Sequence, residues 1–253
     1  MKGFIIAFSM YSKIPMPKLE WTKENMKYAI CYFPLIGAVI GLISYGAYSL
    51  FNVLGAGDGL RASILVVLPL LVTGGIHMDG FLDTSDALNS YGDREKKLAI
   101  LKDPNAGAFA VIRGFIYMFL LFGLFSEADE KSILLAGIGY VYSRAYSGLS
   151  VVSFQNARGN GTLAAFSQNA EKKRVQLVMI GYLLLSAGLF LMVDMVAGAA
   201  CMVAGAGVFL YYKKMSYAKF GGITGDLAGY FVELCELAVL AAAVMVQLIS
   251  AMI

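Results

Sequence analysis

Seven apolar runs, near residues 28–54, 61–76, 107–125, 132–154, 175–193, 195–212 and 228–250, constrain this chain more than any other feature. A helix needs about 20 mostly apolar residues to cross a bilayer, and lipid leaves such a segment few other stable conformations. Hydrophobic residues make up 59% of the 253 positions and charged residues only 15%, against about a quarter charged in an ordinary soluble domain. The expected class is all-α: a polytopic membrane helical bundle of about seven transmembrane helices, one integral membrane domain over 1–253. An N-terminal amphipathic segment, 1–10, is expected to lie along the membrane surface. The 61–76 run is short. Only Asp194 separates 175–193 from 195–212, which calls for a tight hairpin or one broken element. Cys31, Cys201 and Cys235 all fall in apolar runs without a CxxC spacing and are read as small buried hydrophobes.

Orientation follows from where lysine and arginine sit between the runs. Residues 1–27 carry Lys2, Lys13, Lys18, Lys23 and Lys27, and the connection 77–106 carries Arg94, Lys96, Lys97 and Lys102. Further clusters follow at Arg158, Lys172, Lys173 and Arg174, and at Lys213, Lys214 and Lys219, whereas the alternate connections hold only Arg61 and Lys131. The N-terminus and the three basic connections are therefore expected in the cytoplasm and the C-terminus outside. A net charge of +3, spread in short clusters, excludes a nucleic-acid partner and leaves membrane lipid as the surrounding one.

The stretch Gly74-Gly-Ile-His-Met-Asp-Gly-Phe-Leu-Asp-Thr-Ser-Asp86 places Asp83 and Asp86 four and seven residues after Asp79. On a helix both fall within about 40° of Asp79, so one face carries three carboxylates. Like charges on adjacent turns repel, so a positive group must compensate. Hard oxygen donors of this kind suit Mg²⁺. The chain's only histidine, His77, lies beside them.

A second acidic set is Asp226, Glu233 and Glu236, following Gly221-Gly-Ile-Thr-Gly225. Asp226 and Glu233 nearly eclipse on a helix, and Glu236 lies on the adjoining strip. Both glutamates enter the last apolar run, where a charge costs roughly 2.5–3.5 kcal/mol. Both acidic sets begin at the cytoplasmic boundary and are expected to converge, with Asp79 or Asp83 near Asp226 and Glu233 facing the same cavity. Gly221, Gly222 and Gly225 would let backbone N–H groups approach a phosphate. Arg94, Lys97 and Lys102 are able to bind anionic oxygens, although Lys96 and Lys97 read better as topology-determining charges. Arg144 lies inside an apolar run, so its partner must be a carboxylate or a substrate phosphate.

These residues, together with Ser12-Lys-Ile-Pro-Met-Pro17 and the block 94–110, resemble the cobalamin synthase family, the adenosylcobinamide-GDP ribazoletransferases. The matching blocks, 12–17, 74–88, 94–110 and 221–237, run from end to end of the chain. The resemblance implies a Mg²⁺-dependent enzyme of the bacterial inner membrane. Its substrates would be adenosylcobinamide-GDP and α-ribazole, or the 5′-phosphate of the latter, and its products adenosylcobalamin, or its phosphate, and GMP. In that chemistry Asp79, Asp83, Asp86 and Asp226 are the metal-ligand candidates. His77, Glu233 and Glu236 are the candidates for orienting ligands or accepting the hydroxyl proton. Arg94, Lys102, Asp103, Arg144, Gly221, Gly222 and Gly225 are the substrate-binding candidates. A homo-oligomer, or a complex with other cobalamin-assembly enzymes, is left open. Two other classes remain: a cation-coupled transporter, because intramembrane acids and glycine-broken helices also mark ion pathways, and a scaffold docking soluble enzymes through its cytoplasmic loops.

Overall fold

The computed structural model describes residues 2–252, which are helical almost throughout, with no strand among the described residues. The order is α1 (Lys2–Tyr11), α2 (Lys23–Met26), a 3₁₀ turn (Ala29–Tyr32), α3 (Phe33–Val53), α4 (Asp58–Thr73), α5 (Ile76–Asn89) and α6 (Arg94–Ile100). It continues with α7 (Ala108–Glu127), α8 (Glu130–Ser153), α9 (Thr162–Asn169), α10 (Lys172–Val193), α11 (Met195–Phe220) and α12 (Gly225–Ser250).

The expected count of seven spans is not confirmed. Among the described residues five helices are individually long and apolar enough to cross a membrane, the first of them being α3 with the turns before it, and the pair α4 and α5 adds a sixth if counted as one broken span. α4 has only 16 residues, and the chain bends by 97° between it and α5. We read α5 as lying across one end of the bundle, outside the spans. α8 falls short for a different reason. It is the central helix, with Ser143, Arg144, Ser147 and Ser150 buried against protein rather than lipid. Its 24 residues nevertheless run antiparallel to α3, with Tyr140 beside Gly37 and Gly137 beside Gly41.

That central packing depends on small residues. A Cβ on Gly37 would overlap the Tyr140 carbonyl, and one on Gly41 would come within 2.8 Å of the Gly137 oxygen. With lipid around the bundle, close backbone approach of this kind is a main source of helix association. Asp194 alone joins α10 to α11 as a tight hairpin; its carboxylate accepts from Val196 N at 3.1 Å and Ala197 N at 3.0 Å, capping α11. Lipid-facing positions such as Phe115, Phe119, Leu184 and Val203 are exposed. α1 packs Ile6 and Phe8 into the bundle rather than only resting on a surface. Cys201 and Cys235 are buried, Cys31 is half-buried, and all three are free thiols.

Candidate active site at one end of the bundle

α5 and α12 cross with their backbones nearly touching. A Cβ on Gly80 would lie 2.7 Å from the Asp226 carbonyl oxygen, and one on Gly229 would lie 2.9 Å from that of His77. The crossing sets the N-terminal turn of α5 against the N-terminal turn of α12, so Asp79 and Asp226 line one cavity of about 180 Å³. Tyr11 of α1, Phe33 of α3, Ser147 of α8 and Thr162 of α9 complete its wall, with Gly225 at the start of α12. Thr224 caps that helix, accepting from Leu227 N at 3.3 Å.

His77 faces the same cavity and is 5% exposed, and neither ring nitrogen has a hydrogen-bond partner. Its ring stacks on Tyr11 with centroids 6.1 Å apart, and Phe33 packs against it at 5.6 Å. Burial, and after it the Arg144 charge, holds its pKa well below the ordinary imidazole value. The ring is neutral at physiological pH, with one nitrogen free to accept a hydrogen bond from a substrate hydroxyl. Asp83 lies one turn beyond Asp79. Burial and then the carboxylates of Asp79, Asp226 and Asp86 push its pKa up to about 6. The positive group that the like charges require is Arg158, whose Nη1 stands 3.5 Å from Asp226 Oδ2.

A family model described as Cobalamin-5-phosphate synthase matches residues 3–244. The chain belongs to this family. The "Adenosylcobinamide-GDP ribazoletransferase" of Lachnoclostridium phytofermentans is 48% identical, covering 92% of this chain and 89% of that protein. Proteins with the same description from Clostridium perfringens strain SM101 and Fusobacterium nucleatum are 33% and 30% identical. They cover 93% and 94% of this chain and 94% and 95% of their own lengths. No solved structure matches. As a cobalamin-5-phosphate synthase family member, the chain is a transferase of cobalamin biosynthesis.

Within this family member, several candidates named from sequence lie away from the cavity. Asp86 accepts from Gly107 N at 2.5 Å and Ala110 N at 2.9 Å. Both its oxygens are therefore engaged at the positive end of α7. Glu236 and Arg144 pair with each other, Nη1 to Oε1 at 2.6 Å, with Ser143 Oγ donating to the same carboxylate oxygen at 2.9 Å. The carboxylate partner, not the phosphate, is thus the one Arg144 finds. Glu233 accepts from the Tyr117 hydroxyl and lines a separate small pocket with Glu236, so it faces the interior but not the aspartate cavity. Gly221 and Gly222 serve the backbone. Gly221, at φ 72°, ends α11, and a Cβ on Gly222, at φ 149°, would collide with Gln155 O. Of the three glycines only Gly225 reaches the cavity. Arg94 packs on Gly221 and donates to Ala157 O at 3.2 Å, tying two loops together. Lys102 is exposed, and Asp103 is folded into its own turn, accepting from Asn105 N at 2.9 Å.

Sequence reasoning missed three residues. Arg158 read as one more topology charge; only the unmet need for a cation near the aspartates pointed to it. Lys97 is buried and donates to the carbonyls of Ala87 and Ser90, each at 2.7 Å, closing the C-terminus of α5. Tyr11 was hidden in the N-terminal segment.

The fit to Mg²⁺ turns on the donors. Among the described residues no group of three or more His, Cys, Asp or Glu side chains is placed to hold a metal ion by itself. Mg²⁺ asks for less, since one or two carboxylates, several waters and substrate phosphates suffice. Asp79 and Asp226, which line one cavity with Asp83 a turn away, are the residues that would hold it. Asp83, its pKa raised by burial and then by like-charged neighbours, is a carboxylate that gains from a bound cation.

Proposed function

We propose that the chain joins adenosylcobinamide-GDP to α-ribazole or its 5′-phosphate at the cytoplasmic face of a bacterial inner membrane, releasing GMP. The observation that carries this reading is the shared cavity, in which aspartates from two distant segments face a neutral, unpartnered histidine. A ribose hydroxyl oxygen bonds to the cobinamide-side phosphorus, the bond from that phosphorus to the GMP oxygen breaks, and the hydroxyl proton goes to a free ring nitrogen of His77. Asp79 and Asp226, with Asp83 adjacent, would hold Mg²⁺, which when bound offsets the pyrophosphate charge and stabilises the departing GMP oxygen. Tyr11 and Phe33 offer flat faces for the heteroaromatic base of the ribazole, placing its sugar toward the aspartates. Gly225, at the first turn of α12, presents backbone N–H groups to phosphate oxygens. Arg158 balances Asp226 until substrate and cation bind.

The transporter reading finds less support. Its intramembrane acids would have to open to both sides, and Glu233 and Glu236 are closed onto Tyr117 and Arg144.

The test is turnover of both substrates by purified protein in vesicles with and without Mg²⁺. Asp79→Asn, Asp83→Asn and Asp226→Asn are each expected to lose on the order of 100-fold or more in rate with the unfolding midpoint preserved. Asp129→Asn serves as the control, because an asparagine still caps α8 where Asp129 accepts from Ser132 N. Activity surviving in both Asp79→Asn and Asp226→Asn would remove the cavity from the mechanism.

A further inference from the structure

A larger groove, about 690 Å³, opens on the other side of α5, between α5, α7, α11 and α12. α5 is the partition. Asp79, Asp83 and Asp86 lie on one of its faces, whereas Phe81, Ser85 and Leu88, on the opposite face, line the groove. Three cations stand at its mouth: Arg113 in the second turn of α7, and Lys214 and Lys219 near the end of α11. Among the described residues none of the three is in an ion pair, and no acidic residue lines the groove.

Below the cations the lining turns apolar, with Leu120, Tyr230, Leu234 and Leu237. From Arg113 to Leu120 the helix descends ~10 Å. Ile116 and Leu120 are 48% and 50% exposed, so the groove is open sideways to lipid along α7. All three cations lie at the end of the bundle that the basic connections assign to the cytoplasm.

We propose that this groove binds one anionic phospholipid of the cytoplasmic leaflet. The phosphate-bearing headgroup sits on Arg113, Lys214 and Lys219, and the first part of an acyl chain lies along Tyr230, Leu234 and Leu237. A basic pocket between membrane helices on the cytoplasmic side, with an apolar floor and lateral opening, matches such a lipid in both its charge and its apolar length. The bound lipid would brace the rear face of α5, the helix that carries the aspartates. Lipid occupancy and the position of the acidic face are thereby coupled through one rigid element. The proposal stands on the groove alone and does not depend on the reaction assigned to the aspartate cavity.

Native mass spectrometry of the full chain in mild detergent, offered equal phosphatidylglycerol and phosphatidylcholine, tests it. Each cation beside an anionic headgroup is worth about a five-fold preference, so the wild type should retain phosphatidylglycerol at least about ten-fold better. Arg113→Gln/Lys214→Gln/Lys219→Gln should bring that ratio to about one. Leu234→Trp keeps the charges but fills the floor, and should lower retention of phosphatidylglycerol several-fold, which keeps the test alive if the triple variant fails to fold. Equal retention of the two lipids by the wild type would overturn the proposal, as would an undiminished preference in a folded triple variant. Displacement of the lipid by guanosine diphosphate would also overturn it, by showing the groove to be a nucleotide site.

Discussion

The Arg144–Glu236 pair sits inside the bundle with the two side chains 1% and 9% exposed, and it makes an asymmetric prediction. Glu236→Leu removes the carboxylate paired with Arg144, leaving the guanidinium hydrogen-bonded to the Tyr140 carbonyl at 3.0 Å. Arginine cannot shed its proton, so the charge remains buried and unpaired, a defect that costs about 3–5 kcal/mol. Arg144→Leu leaves a lone carboxyl, which can discharge by taking up a proton while Ser143 still donates to it. Its cost is therefore smaller, about 1–3 kcal/mol. Arg144→Leu/Glu236→Leu removes both charges and fills the space with apolar atoms. Such replacements are often neutral or better, so the double variant should return to within about 1 kcal/mol of wild type. The assay is reversible unfolding in mixed micelles for all four proteins, with transferase turnover measured in parallel. Because the pair does not line the aspartate cavity, turnover should recover with stability in the double variant, its pH profile shifted where loss of the Arg144 charge lets the His77 pKa rise. A double variant as unstable as Glu236→Leu would refute the electrostatic account. A stable double variant without turnover would return the pair to the chemistry.

Three further outcomes are expected. Gly80→Ala places a methyl 2.7 Å from the Asp226 carbonyl; thermal unfolding should show about 1–3 kcal/mol lost, with turnover reduced as α5 and α12 part, and an unchanged midpoint would contradict the close crossing. The raised pKa of Asp83, about 6, means that folding favours its protonated form, so without divalent cation this contribution is present below pH 4 and is lost as pH rises through 6. Mg²⁺ should accordingly raise the unfolding midpoint more at pH 7.5 than at pH 5, and turnover should decline as pH falls through 6; an Mg²⁺ effect of equal size at both pH values would count against the aspartate site. Reporter fusions after residues 95, 165 and 216 should read as cytoplasmic and one at the C-terminus as external, and a cytoplasmic C-terminus would show that one of the short or polar helices, α4 or α8, fails to cross.

Local sequence was enough for the features that each segment settles for itself. An apolar run meets lipid whatever its neighbours are, so the helices were readable one at a time, and the basic connections set their expected order across the membrane. The acidic face of α5 was equally local, since four- and seven-residue spacing aligns side chains on any helix. So was the need for a partner at Arg144, because a lone guanidinium has no stable place in a span. What the tertiary structure decided was which groups meet. Asp226 reaches Asp79 only because Gly80 and Gly229 let α5 and α12 touch. Asp86 looked identical to Asp79 in pattern, yet it caps α7, whose N-terminus happens to lie beside it. Lys97, Arg158 and Tyr11 gained their roles from elements folded over them, while Glu233 and Glu236 were withdrawn into partnerships with Tyr117 and Arg144. Hydropathy alone confirms fewer than seven spans for the same reason. Once α8 is enclosed by other helices its solvent is protein, and serines and an arginine satisfied by neighbours replace the apolar surface that lipid would demand.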